Sequence, residues 1–282
     1  MAVQIIIDSG ADIIPAEAKE LGIVHIPLKV LFGTEEFKDA VTLSHHEFYE
    51  KLIESDTLPT TCQIPPADFE DAYEAVRLQK DTAVVITLSS KLSGTYQSAI
   101  IASDGHEGRV HVVDSESVSL GQRLLVLRAV ELRNQGLSAE EIADRLNREK
   151  KKLKVLALLD TLEYLKKGGR ISKTTAFAGA MLNIKPVITL KDGEVAMVGK
   201  ARGSKQGNNL LRELIADCGG IDFSLPFCLA YSGLSDCLLQ KYIADSDDLW
   251  KENTSTLPIA TVGCVIGTHA GPGAIAVAFF QQ

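Results

Sequence analysis

Long apolar runs are missing from this chain. No stretch approaches the ~20 residues that cross a bilayer as a helix, so stable membrane insertion is not expected and only transient membrane contact stays open. The opening MAVQIIIDSG carries no basic residue and meets Asp8 after a short apolar run. It reads as a first strand, not a signal peptide, and points to the cytoplasm. Cysteine is sparse and unpatterned. Cys62, Cys218, Cys228, Cys237 and Cys264 are odd in number and show no CxxC spacing, which argues against a disulfide framework and a zinc knuckle. Positive charge is in short supply, with 29 Lys and Arg against 37 Asp and Glu and a net charge of −8. A duplex binder carries a basic footprint, so nucleic acid is disfavoured as a partner. Neither G-x-x-x-x-G-K-[ST] nor a G-x-G-x-x-G after a strand is present, so no nucleotide site is expected. No metal or other cofactor is implied.

What is there is an ordinary globular composition over 282 residues, enough for two domains. Residues 1 to about 155 alternate strand and helix. Val3–Ile7 reads as a strand, Pro15 opens a helix to Leu21, and Ile26–Phe32 reads as one further strand that returns as a hairpin over 36–39. Ser44 with Glu47, and Ser138 with Glu141, have capping-box spacing. They predict helices to about Glu54 and Lys152. Leu58–Pro66 reads as a polar loop before a helix over 67–80. Val84–Leu88 and 109–113 read as buried strands, and a helix runs from about Ser119 to Asn134. This pattern predicts an α/β fold with a mostly parallel sheet and helices on both faces. The turns Asp8-Ser9, Ser89–Ser93 and Asp114-Ser115 each follow a strand and converge on one carboxyl edge, where open α/β sheets bind ligands.

The second half predicts a further α/β unit with a mixed or antiparallel sheet. Val155–Leu159 reads as a strand. Pro186–Leu190 and Glu194–Val198 flank the hairpin signal Lys191-Asp192-Gly193. Helices over 203–218 and 236–244 enclose a strand over 226–231. Val262–Phe280 reads as two strands around the glycine-rich turn 267–273. We divide the chain into 1–160 and 161–282, with a ligand between.

The chemistry centres on VVITLSSKLSGTYQS, Val84–Ser98. A strand, a loop of small hydroxyl residues and a helix start make an anion site, because the first amides of a helix lack internal partners and the dipole adds positive potential. Helix capping alone needs one serine; three serines and a glycine point to a ligand. A serine hydrolase with Ser93 as nucleophile and His269 as base is one reading, but Lys91-Leu92-Ser93-Gly94 lacks the first glycine of the nucleophile elbow and no acid partner is evident. Asp8, Asp12 and Asp114 read better as caps than as metal ligands. A binding protein is the other reading. Hydroxyls, helix amides and a histidine cradle a single carboxylate, and glycines around His269 suit close approach.

At these residues the chain resembles the DegV family of bacterial proteins, which includes the fatty acid-binding subunits of fatty acid kinase. The resemblance covers nearly the whole chain. It runs through IIIDSGAD (5–12), LPTTCQIPPADF (58–69), TLSSKLSGTYQSA (87–99) and VVDSESVSLGQ (112–122). It continues through LEYLKKGGRIS (162–172), LNIKPVITLKDG (182–193) and IGTHAGPGAIAVAF (266–279). It implies a two-domain α/β fold with a long-chain fatty acid between the domains. Its carboxylate would be held by Thr61, Ser93 and His269, with Gly94 and Thr95 supporting the loop. It further implies that the protein is not itself an enzyme: a separate ATP-binding fatty acid kinase subunit phosphorylates the presented carboxylate, feeding phospholipid metabolism. The family loop reads T-S-Q-P, where this chain has Cys62 for the serine and Ile64 for the proline, and Lys91 stands where glycine is frequent. Lys167, Arg170, Arg202 and Lys205 are local positive charge on an acidic chain. We expect them to form a docking face for the kinase partner.

Overall fold

The computed structural model describes residues 2–171, 184–251 and 254–282. Ser172, Leu182 and Asn183, which end or begin two of the matching motifs, lie outside the described residues. Among the described residues the strands form three sheets. Val24–Ile26, Val3–Asp8, Thr82–Thr87 and Val110–Asp114 pair in that order, all parallel. Alternation along the strands sorts the core. Ile5 and Ile7 face Leu124, Leu125, Ile142 and Leu146 of the helices Leu120–Asn134 and Ala139–Glu149, while Ile6 faces the opposite layer with Phe69, Tyr73 and Ala99. Both faces are therefore covered, as a parallel sheet requires.

The second large sheet is mixed. Its order is Glu194–Arg202, Ile184–Lys191, Leu153–Leu158, Ile275–Phe280, Cys228–Tyr231 and Ile259–Thr261. Four of its pairings are antiparallel and the last is parallel. Leu156, Leu158, Val187, Val277 and Phe279 pack under the helices Gly203–Asp217 and Cys237–Asp245. Strand Leu153–Leu158 belongs to this sheet, so the change of sheet falls before residue 153, earlier than a division at 160.

Both expected capping boxes are formed. The Ser44 and Ser138 hydroxyls accept from the amides of Glu47 and Glu141, whose carboxylates accept in return. The second of these helices stops at Glu149 and tightens into a 3-10 turn over Lys150–Lys152.

Three expectations are corrected. Ile26–Phe32 is not one strand. Val24–Ile26 joins the parallel sheet, whereas Lys29–Phe32 joins a separate antiparallel sheet with Glu35–Lys38 and Thr60–Cys62; Pro27, with no N–H to give a ladder, falls between them. The loop Leu58–Pro66 contains the strand Thr60–Cys62. Cys264–Ala270 is a helix, not a strand and turn. Cys264, Val265, Gly267 and Thr268 are buried and Ile266, His269 and Ala270 half-buried, so this short helix has no exposed polar face to betray its period.

Candidate functional site

One cavity, of about 240 Å³, opens between a face of the mixed sheet and the loops beyond the carboxyl edge of the parallel sheet. Its volume is far above the ~15 Å³ that holds one water. Strand alternation makes it. Along 153–159, Leu156 and Leu158 point to the helix layer, while Val155, Ala157 and Leu159 line the cavity. Ala157 and Ala276 are small, and they pair across adjacent strands, which leaves room over that face of the mixed sheet. The remaining wall is mostly aliphatic, with Leu28, Val118, Ile188 and Ile266.

Thr61, Ser93 and His269 all line this cavity. Thr61 arrives on the strand Thr60–Cys62, and its hydroxyl lies 3.0 Å from His269 Nε2. His269 stands in the last turn of the helix Cys264–Ala270. Ser93 precedes the helix Thr95–Ala102. Its hydroxyl lies 2.9 Å from Thr95 Oγ1 and accepts from the Thr95 amide. Thr95 Oγ1 in turn accepts from the Ile64 amide at 3.3 Å. The Thr61 strand and the serine turn are thus laced together next to the cavity. Gly94 is the helix N-cap and offers no side-chain cap. Of the three neighbouring serines, Ser89 is fully buried and donates to the Gly193 carbonyl of the hairpin tip at 2.7 Å.

Arg170 was expected on a docking face; the structure places it at the cavity. It lines the cavity, half-buried, and its guanidinium donates to the carbonyls of Leu92 and Gly168 at 3.2 and 2.6 Å. It therefore bridges the serine loop and the segment against His269. Gly168 belongs there because a Cβ would collide with His269 Nδ1. The sequence carried a signal for this: glycines at 168 and 169 immediately before an arginine allow close backbone approach. Lys167, Arg202 and Lys205 are exposed, and Lys167 faces Glu163 at 3.9 Å.

Electrostatics divide the labour. Burial, with Arg170 nearby adding to it, pushes His269 down to about 4, so the ring is neutral at neutral pH. Positive charge at the cavity comes from Arg170, whereas Thr61, Ser93 and His269 supply hydrogen bonds. The hydrogen bonds of the Ser93 hydroxyl go to Thr95 and that of His269 Nε2 to Thr61, and Nδ1 of that ring has no hydrogen-bond partner. A nucleophile–base–acid relay is not assembled, and the hydrolase reading gains no support. Among the described residues no group of His, Cys, Asp and Glu has the geometry to hold a metal. Sequence reasoning also passed over Asp39. It is buried with Asp8 and Asp12 beneath the site, and burial pushes Asp8 up to about 6 and Asp12 up to about 8.

Comparison with known proteins gives consistent matches. The family described as "Uncharacterised protein, DegV family" matches residues 2–282. A DegV domain-containing protein of Caldanaerobacter subterraneus is 36% identical over 282 residues, covering 99% of each chain. A solved DegV family protein from Thermus thermophilus, described for its fatty acid binding, aligns with a TM-score of 0.89 at 31% identity over 100% of both chains. DegV from Bacillus subtilis, described as a fatty acid binding protein, aligns with a TM-score of 0.83 at 30% identity, again over 100% of both.

Proposed function

This chain belongs to the DegV family, and from that premise we propose that it binds a long-chain fatty acid. The carboxylate is held by Thr61, Ser93 and His269 with Arg170 as counter-charge, and the acyl chain lies in the cavity over the mixed sheet. The observation that carries this reading is the pairing of ends: one cavity combines a hydroxyl–imidazole–guanidinium cluster with a long aliphatic wall. Hydrogen bonds to a charged group contribute ~1.5–3 kcal/mol each. Burying the chain contributes ~0.8 kcal/mol per CH₂, so the tail supplies most of the affinity and the head sets the orientation. The fatty acid binding for which the Thermus and Bacillus proteins are described supports the same ligand class.

The role is lipid binding, not catalysis. The family resemblance supports presentation of the carboxylate to a separate ATP-dependent kinase subunit as the further part of this reading. Lys167, Arg202 and Lys205 remain the candidate docking charges, without Arg170. Reversing Arg202 and Lys205 to glutamate is expected to weaken kinase binding at physiological salt; unchanged binding would remove the docking face. The chain is read as two units because the two larger sheets take their strands from 3–114 and 153–280. Among the described residues no helix is long and apolar enough to cross a membrane.

Native mass spectrometry of protein freshly purified from bacterial cells tests the ligand. One long-chain acid per chain is expected. Ligand-free protein that also fails to take up added acid, or labelling of Ser93 by a fluorophosphonate with ester turnover, would overturn the reading.

A further inference from the structure

We infer that Asp12 and Asp39 are positioning residues: buried carboxyl groups from the first half of the chain that seat the helix carrying His269 and so set the geometry of the head-group site. The inference rests on the fatty acid-binding reading above for its consequence, and on hydrogen bonds for its substance.

The helix Cys264–Ala270 starts from Gly263, which has no side chain to cap it. The first amides of a helix need outside partners. Here they come from far away in sequence. The Gly263 amide donates to Asp12 Oδ1 at 2.9 Å, and the Cys264 amide donates to Asp39 Oδ1 at 3.1 Å. Both carboxyl groups are almost fully buried, so water does not offer the alternative. Negative or partly negative oxygens at a helix start also suit its dipole. The helix is under two turns long, so fixing its first residues fixes His269 in its last turn.

Each acid is itself held by a group tied to the site. Asp39 Oδ2 accepts from the Ser9 hydroxyl at 2.9 Å, and Ser9 Oγ accepts from the Leu28 amide at 3.0 Å. Leu28 lines the cavity. Asp12 Oδ2 accepts from the Ser119 hydroxyl. Ser119 also lines the cavity and sits at φ 52, ψ −128, a conformation that costs a non-glycine residue energy and persists only where its surroundings demand it. Asp8 completes the set. It accepts from the Leu88 amide at 2.8 Å, at the root of the serine loop. The turn 8–12 with Asp39 thus touches the histidine helix, the serine loop and the cavity wall at once, without contributing a carboxylate ligand to the cavity itself.

The test uses delipidated full-length protein, palmitate labelled with 13C at its carboxyl, and 15N-labelled histidine. The variants are Asp39→Ala, Asp39→Asn and Asp12→Asn. Asp39→Ala is expected to move both the bound carboxyl resonance and the His269 ring signals, with palmitate binding weakened about tenfold or more. Asp39→Asn keeps one oxygen to accept from Cys264 and is expected to recover part of each change. Ser138→Ala, a destabilising change far from the site, is expected to leave both signals where they are, which separates positioning from mere stability. If Asp39→Ala fails to fold, the two asparagine variants carry the same test. Bound carboxyl and His269 signals identical to the unaltered protein in the folded variants would overturn the inference. Unaltered protein that shows no bound carboxyl signal would instead defeat the fatty acid reading; the His269 ring signals then still decide the positioning role, unmoved signals overturning it.

Discussion

His269 shows how burial decides what a single side chain can do. The ring is mostly shielded, so its charged form loses hydration, and the Arg170 guanidinium adds repulsion. Its proton affinity falls to about 4, against an ordinary 6.5. Between those values the unfolded chain takes up the proton first, so this residue costs stability as the pH drops from 6.5 toward 4. NMR titration of the ring is expected to find it neutral down to about pH 4–5 before ligand is added. Adding a fatty acid carboxylate places negative charge beside the ring and is expected to raise that midpoint. An ordinary midpoint near 6.5 in the ligand-free protein would contradict the burial argument. Ser93 and His269 were legible as candidates from the motifs around them and Thr61 only through the family resemblance, and the structure brings all three to one cavity. Arg170 was legible only as a charge. That its guanidinium turns inward, to the Leu92 and Gly168 carbonyls, depends on packing between distant segments that no local pattern encodes.

Among the elements, three of the four strands of the parallel sheet and both capped helices could be read directly, because apolar runs and capping spacing are local signals. The helix Cys264–Ala270 could not. A buried helix and a buried strand are both apolar without a polar face, and glycine at 263, 267 and 271 favours a turn reading. Its actual packing explains Gly267: a Cβ there would meet the Tyr49 hydroxyl at 2.7 Å and Phe48 at 2.8 Å. Phe48 and Tyr49 are fully buried and cannot retreat cheaply. Gly267→Ala is therefore expected to destabilise the fold by about 1–3 kcal/mol, the usual cost of overpacking, even though alanine is the better helix former. Denaturant unfolding measures this; an unchanged or raised midpoint would mean the two helices separate more readily than their contacts indicate. The split of Ile26–Phe32 into two strands has the same lesson in reverse. Pro27 was visible, but which sheet each half joins is set by partners elsewhere.

At the scale of the molecule, the cavity exists because loops at the carboxyl edge of the parallel sheet close over a face of the mixed sheet that carries small residues. Its wall comes from the mixed sheet and from loops beyond the ends of the parallel strands, while its polar cluster is assembled by the strand Thr60–Cys62, the serine loop, the histidine helix and the segment around Gly168–Arg170. No single element contains the site, so its volume and closure were beyond a reading of the sequence, although the residue types at its polar end were not. In the proposed function the mixed sheet holds the tail, and the turns and short elements hold the head. On this account affinity and orientation are separable, and mutations at the polar end weaken binding without dismantling the fold.

Calorimetric titration of a long-chain fatty acid into delipidated protein, compared between the unaltered chain and Thr61→Ala with Ser93→Ala, tests that account most directly. Loss of two hydrogen bonds to a charged group, at ~1.5–3 kcal/mol each, predicts affinity about 100-fold lower or worse in the double variant, with an unchanged melting profile. Equal affinity in the two proteins would mean that the acid, if bound, is gripped somewhere else.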